Sequence, residues 1–248
     1  MPKIEFPALS GLAKASDLLP PGYGSGAGEG DKQGRGASDA PALPVDPTYW
    51  EVFGAAMDAS AITFTLAQIP HGAILWIQDE MSMIEMGMPT LSMSRYGHDL
   101  EELLFVKAKN ADDVLWAMME GLSCTSLTAV VGEIYGDPKA LDFVATKRLL
   151  HRAEQQGIHA ATIRWAANVS LSAARLRWRV TSLPSGPCLY DPQSIGEPRW
   201  RAELFRAQGR APGVWQAEYD WDAARVRLDR LPRASQRQPV PDEDEMTF

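Results

Sequence analysis

The chain has 248 residues, 45% of them hydrophobic, and a formal net charge of −8; that is enough chain for one domain with a full core, and the acidic balance works against binding nucleic acid through bulk electrostatics. Two cysteines, Cys124 and Cys188, make neither a disulfide framework nor a zinc spacing and fit a reducing compartment. No stretch reaches the ~20 apolar residues of a membrane span, and the first residues lack the apolar run of a secretory signal, so a cytoplasmic protein without a membrane partner is expected.

Residues 1–47 hold the run Pro20-Pro-Gly-Tyr-Gly-Ser-Gly-Ala-Gly-Glu-Gly30. Such a segment buries too little apolar surface to offset its ordering entropy, and a flexible arm is expected there. Thr48-Tyr-Trp-Glu-Val-Phe53 then alternates like a strand, Gly54 opens a loop, and Ile62, Phe64, Leu66 and Ile69 follow at helical spacing. Strand, glycine, loop and helix form the frame of a P-loop, G-x-x-x-x-G-K-[ST]. There backbone amides cradle phosphates, Lys reaches the β/γ-phosphates and a hydroxyl holds Mg²⁺. Laid on Gly54, the frame puts Ala59 at the second glycine, Ser60 at the lysine and Ala61 at the Ser/Thr. The sequence thus predicts a degenerate nucleotide site, a fold of the nucleotidase kind without the activity, and no cofactor.

Further along, Ala73–Ile77 and Leu103–Val106 are continuous apolar runs of the kind found in parallel strands buried on both faces. Asn110–Leu122 reads as a helix capped by Asn110 or Asp112, Leu127–Val131 as a strand ending in Gly132-Glu133, Pro138–Gln156 as an amphipathic helix closed by Gly157, and His159–Trp165 as another strand. Repeated β-α units with short connections predict a mostly parallel sheet flanked by helices on both faces. After Ser170 the period becomes two. Arg175–Val180, Arg199–Arg206, Val214–Trp221 and Arg225–Leu231 each put apolar residues on one face and charges on the other, as in a C-terminal antiparallel meander. The core is expected over 48–232, with a disordered acidic tail over 233–248.

Several residues invite a chemical reading. Asp79, Glu80 and Glu133 fall at strand ends, where a carboxylate could hold water or metal; without a phosphate clamp, solvated loop starts are the simpler expectation. His71, His98, His151 and His159 show no metal spacing, and no metal site is expected. Cys124 sits in an apolar phrase and is expected as a buried structural thiol. Met81, Met83, Met86, Met88 and Met93 suit either core filling, the commoner use, or an adaptable partner surface. Residues 175–210 carry seven arginines against three acids, a local +4 interleaved with tryptophan. Such a face could grip a nucleic-acid backbone, or its charges could pair across strands. Arg175, Arg177, Arg179, Arg199 and Arg201 are the candidate partner or DNA surface, with Phe248 in the tail as a candidate anchor.

Glu51-Val-Phe-Gly-Ala-Ala, Ala73-Ile-Leu-Trp-Ile, Asn110–Leu122, Ala129-Val-Val-Gly-Glu-Ile134 and Thr146-Lys-Arg-Leu150 together resemble the ImuA family, damage-inducible mutagenesis proteins distantly related to RecA and SulA. The most specific pieces are Ser172–Val180, Gly196–Leu204 and Val214–Asp220, and the resemblance runs from about Tyr49 to Leu231. It implies a RecA-like fold and a non-catalytic adaptor role in SOS-induced translesion synthesis, nucleoid-associated during damage. The implied partners are an ImuB-type polymerase-like scaffold, RecA and a second DnaE-type polymerase. Against RecA, Glu80 falls at the position of the catalytic glutamate, while the Gly54 loop departs at every phosphate-binding side chain. Two other readings remain open: a SulA-like inhibitor of cell division, and a residual DNA-binding ATPase of the RecA type.

Overall fold

The computed structural model describes residues 46–88, 95–186, 188, 191 and 193–231. Nine strands form one sheet in the order β3-β2-β4-β5-β1-β6-β7-β8-β9. The first six positions pair in parallel: β3 (Leu103–Ala108), β2 (Ile74–Asp79), β4 (Ala129–Tyr135), β5 (His159–Trp165), β1 (Tyr49–Gly54) and β6 (Leu176–Leu183). From β6 the sheet continues antiparallel through β7 (Arg199–Ala207), β8 (Gly213–Asp220) and β9 (Arg225–Arg230). This is the α/β architecture of a RecA-like core with a C-terminal meander. The apolar runs of β2 and β4 lie inside the parallel region, where helices cover both faces and no alternation is needed.

Two cores result. On one face Trp50, Val52, Trp76, Val131, Ile163 and Trp165 pack with α1 (Ser60–Leu66), and the same layer runs on under the meander through Trp178, Trp200, Trp215 and Tyr219. On the other face Tyr49, Ile77, Val130, Ile134 and Ala160 pack against α3 (Ala111–Gly121) and α4 (Phe143–Gln156). The helix ends follow local chemistry. Asn110 accepts from the amide of Asp113 at 3.0 Å and Asp142 from that of Ala145 at 2.7 Å. Gly157 closes α4 at φ +68°, where a Cβ would be strained.

Three elements differ from the sequence reading. Helix α4 begins at Phe143 rather than Pro138, because Asp142 takes the cap and Leu141 is tied back to Pro138 in a turn. Strand β4 runs on to Tyr135, so Glu133 lies within it rather than past its end. A short helix, α2 (Glu80–Met86), follows β2 directly; its polar-apolar mixture hid it.

Candidate functional site

In an open parallel sheet, ligands bind beyond the carboxyl ends of the strands, where connections leave to opposite faces. Here that region holds Gly54, Asp79, Glu133 and Trp165. The indole of Trp165 lies on the Gly54 backbone: a Cβ there would come within 2.4 Å of Trp165 Cζ3 and 2.8 Å of Ala61 Cβ. Gly54 is thus required by close packing. Past it, Asp58 holds the loop, accepting from the amides of Ser60 (2.9 Å) and Ser182 (3.0 Å) and from the Ser182 hydroxyl (2.5 Å). Burial alone would raise its carboxyl, but these hydrogen bonds outweigh it and hold the pKa below the ordinary value. The Ser60 hydroxyl turns inward to the carbonyl of Val180, 3.3 Å away, and Ala61 is buried beside it, whereas Ala59 is exposed.

Glu133 is fully buried between two tryptophans. Trp76 Nε1 donates to its Oε1 at 2.5 Å and Trp165 Nε1 to its Oε2 at 2.7 Å, so one carboxylate ties β2, β4 and β5 together. Burial dominates and pushes its pKa up to about 7, with the indole hydrogen bonds opposing and the nearby Asp79 adding to it. Asp79, expected at a solvated loop start, is buried and doubly engaged: it caps α2 through the Ser82 amide (2.7 Å) and accepts from the Tyr135 amide (3.0 Å). Glu80 points to solvent and pairs with Lys107 at 3.3 Å. Gly54, Ser60, Ala61 and Glu133 gather around Trp165 and α1; Glu80 stands apart on α2.

The arginines sort differently from the sequence reading. Arg177 is not on a surface. It is 1% exposed and donates to the fully buried Glu51 at 2.6 Å and to the Ser170 carbonyl at 2.8 Å. Strict alternation misplaced it, because helix α4 and the segment before β6 cover that face of β1 and β6. Around it runs a ladder of rings and guanidinium groups: Arg164 over Phe53 at 5.5 Å, Arg177 over Phe53 and Phe205 at 5.2 and 5.3 Å, Arg179 over Phe205 at 5.2 Å. Arg175 forks onto Glu154 at 2.7 and 2.9 Å and also meets Gln208. Arg179 pairs with Glu203 at 3.1 Å, Arg199 with Glu218 at 3.1 Å, and Arg201 with Glu203 at 3.7 Å. Glu218 also receives Arg227 of β9 at 3.4 Å, and the register puts Arg199, Glu218 and Arg227 side by side. The acidic face of β8 therefore lies among basic strands and pairs with them.

Two other expectations change. Cys124 is exposed, because it lies in the turn after α3 rather than in the core. Of the methionines, Met81 and Met88 are exposed and Met83 and Met86 half-buried, since α2 lies over the sheet end and not within it; Met93 falls outside the described residues. With Ile84 (68% exposed) and Met57 they leave an apolar face on α2 and the Gly54 loop. An exposed aromatic, Trp116 on α3, is 67% accessible beside a groove lined by Leu115, Met119 and Arg148. Phe248 lies outside the described residues. Among the described residues no helix is long and apolar enough to cross a membrane.

The fold and its strand-end region define an α/β protein of RecA-like topology with Trp165 and Glu133 packed where such folds bind ligands. No family model matches the chain. Protein ImuA of Caulobacter vibrioides (strain NA1000 / CB15N) is 31% identical over 154 residues, 58% of this chain and 59% of that protein, and Protein ImuA of strain ATCC 19089 / CIP 103742 / CB 15 matches equally. The chain is similar to Protein ImuA over that stretch, and its match spans about three-fifths (59%) of these relatives' length.

Proposed function

We propose that this chain is a non-catalytic adaptor in damage-inducible mutagenesis, using the RecA-like sheet as a scaffold for protein contacts. The observation that carries the reading is the packing at Gly54. Trp165 and Ala61 crowd the backbone that a phosphate would approach, and Ser60, at the lysine position of the frame, bonds inward to Val180. Glu133 supports it: both its carboxylate oxygens already accept indole hydrogen bonds. A fully buried carboxylate held between two indoles is not presented to a metal–nucleotide complex. The partners that fit are an ImuB-type polymerase-like scaffold and RecA, with a second DnaE-type polymerase in the same assembly. The exposed side chains of α2 and Trp116 offer the apolar anchors on which such contacts concentrate.

Two measurements test this. Titration with ATP and Mg²⁺ should give no saturable heat and no thermal shift; micromolar affinity lost in Glu80→Gln would restore the ATPase reading. Deletion of the gene should lower ultraviolet-induced mutation frequency, and the tagged chain should retain the polymerase-like scaffold. Retention of a division GTPase instead, with filamentous growth on overexpression, would favour the SulA-like alternative.

A further inference from the structure

Among the described residues most meander arginines are paired with acids, and Arg206, at the end of β7, is not. Arg177 pairs with Arg206 across the ladder, but the next pair is Trp178 with Leu204, so Phe205 is an extra, bulged residue. A bulge re-aims the side chains beside it. Phe205 turns onto Phe53, at 5.5 Å, and Arg206 comes to face α4 rather than following Leu204 into the core. There it lines a groove of about 420 Å³ whose floor includes Phe143, Leu150 and Ala174, with Lys147 of α4 on the opposite rim.

Among the described residues neither Lys147 nor Arg206 has a carboxylate partner, whereas Arg175, Arg177, Arg179, Arg199 and Arg227 all do. The nearby carboxylate of Asp142 is turned back onto the start of α4, accepting from Ala145 at 2.7 Å. Among the described residues no acid lines the groove. An apolar floor between two uncompensated cations selects an acidic segment carrying a large apolar side chain. A bare phosphate backbone would leave the floor unfilled.

The chain holds such a segment. Asp242-Glu-Asp-Glu-Met-Thr-Phe248 follows four carboxylates with Met246 and Phe248. Strand β9 runs in the direction of β7, since each is antiparallel to β8, so the chain leaves β9 toward the end of the sheet where Arg206 lies. The register sets Arg230 opposite Trp215 and Trp215 opposite Ala202, shortly before Arg206. Two strand spacings of ~4.8 Å and a few residues along the strand separate Leu231 from the groove, roughly 15 Å. The residues between Leu231 and Asp242 span up to about 36 Å when extended.

We propose that Asp242–Phe248 docks in cis into the groove between α4 and the bulged end of β7, its carboxylates on Lys147 and Arg206 and its apolar side chains on Phe143 and Leu150. This does not depend on the adaptor reading.

Zero-length carbodiimide coupling of the full chain tests it, using an equal mixture of ¹⁴N- and ¹⁵N-labelled protein and peptide mapping of the monomer and dimer bands. The expected product joins the Lys147 amine to a carboxylate of Asp242–Glu245 within one chain, in yield well above that of Lys107 or Lys139. Arg206→Glu, at an exposed position, should lower that yield at least fivefold, as should Met246→Ala with Phe248→Ala. Equal coupling to all lysines, or no effect of Arg206→Glu, would overturn the proposal. Coupling only in mixed-label dimers would give the groove to a second copy. Loss of the product on adding a single-stranded oligonucleotide, with Arg206→Glu abolishing oligonucleotide binding, would give it to nucleic acid.

Discussion

Glu133 has two indole N–H groups where a surface carboxylate has water. The folded chain holds its proton up to about pH 7, against an ordinary value of 4.5, so folding takes up a proton between these values. Its contribution is fully present below about pH 4.5 and is lost as pH rises through 7, by up to about 3 kcal/mol. Glu133→Gln should flatten this slope. In urea melts the variant should be more stable than the parent by about 2 kcal/mol at pH 8 and less stable by about 1 kcal/mol at pH 5, where one indole loses its acceptor. Equal loss at both pH values would mean that the carboxyl does not titrate in this range. Arg177 calls for the opposite treatment. Arg177→Ala leaves Glu51 buried with only the Tyr49 and Ser172 hydroxyls, and should cost about 3–5 kcal/mol. Arg177→Met with Glu51→Gln should recover most of it. Neither residue was legible as buried: Glu51 and Arg177 sit at alternating polar positions, and their burial depends on α4 crossing above them.

At the scale of elements, the strand–loop–helix at Gly54 was legible from one glycine and an apolar period. Its reason was not, because the crowding group, Trp165, comes from β5. Gly54→Ala should destabilise by about 1–3 kcal/mol through overpacking, and Trp165→Leu should relieve part of that loss in the double variant. Helix α2 escaped the sequence reading because its start signal, Asp79, also bonds to β4, and two of its apolar side chains, Met81 and Ile84, face out. Met81→Gln and Ile84→Gln should therefore change stability by no more than about 0.5 kcal/mol in chemical denaturation, despite the apolar character of the wild-type residues.

At the scale of the molecule, a mostly parallel sheet flanked by helices was readable from the β-α repeats, and the meander from its period of two. The bulge at Phe205 was not, since one extra residue leaves no trace in an alternating pattern. The two sheet edges differ: β9 presents Arg225, Arg227, Asp229 and Arg230, while β3 exposes Leu104 and Val106. Charges of the first kind blunt an edge against further pairing. Most cations on the open meander face are matched by acids on neighbouring strands, in a chain of net charge −8. Single-stranded oligonucleotide should accordingly bind weakly, with an anisotropy-derived salt slope of about one phosphate or less. A slope of several phosphates, reduced by Arg199→Glu, would show that the pairs open to meet DNA.

The Glu51–Arg177 pair joins positions 126 apart in the chain. A lineage that loses either partner alone passes through a chain short of several kcal/mol, a large share of what holds a domain of this size together. Descent therefore favours keeping both or replacing both. In distant relatives these two columns should vary together, and a relative carrying apolar residues at both remains a credible carrier of the same fold.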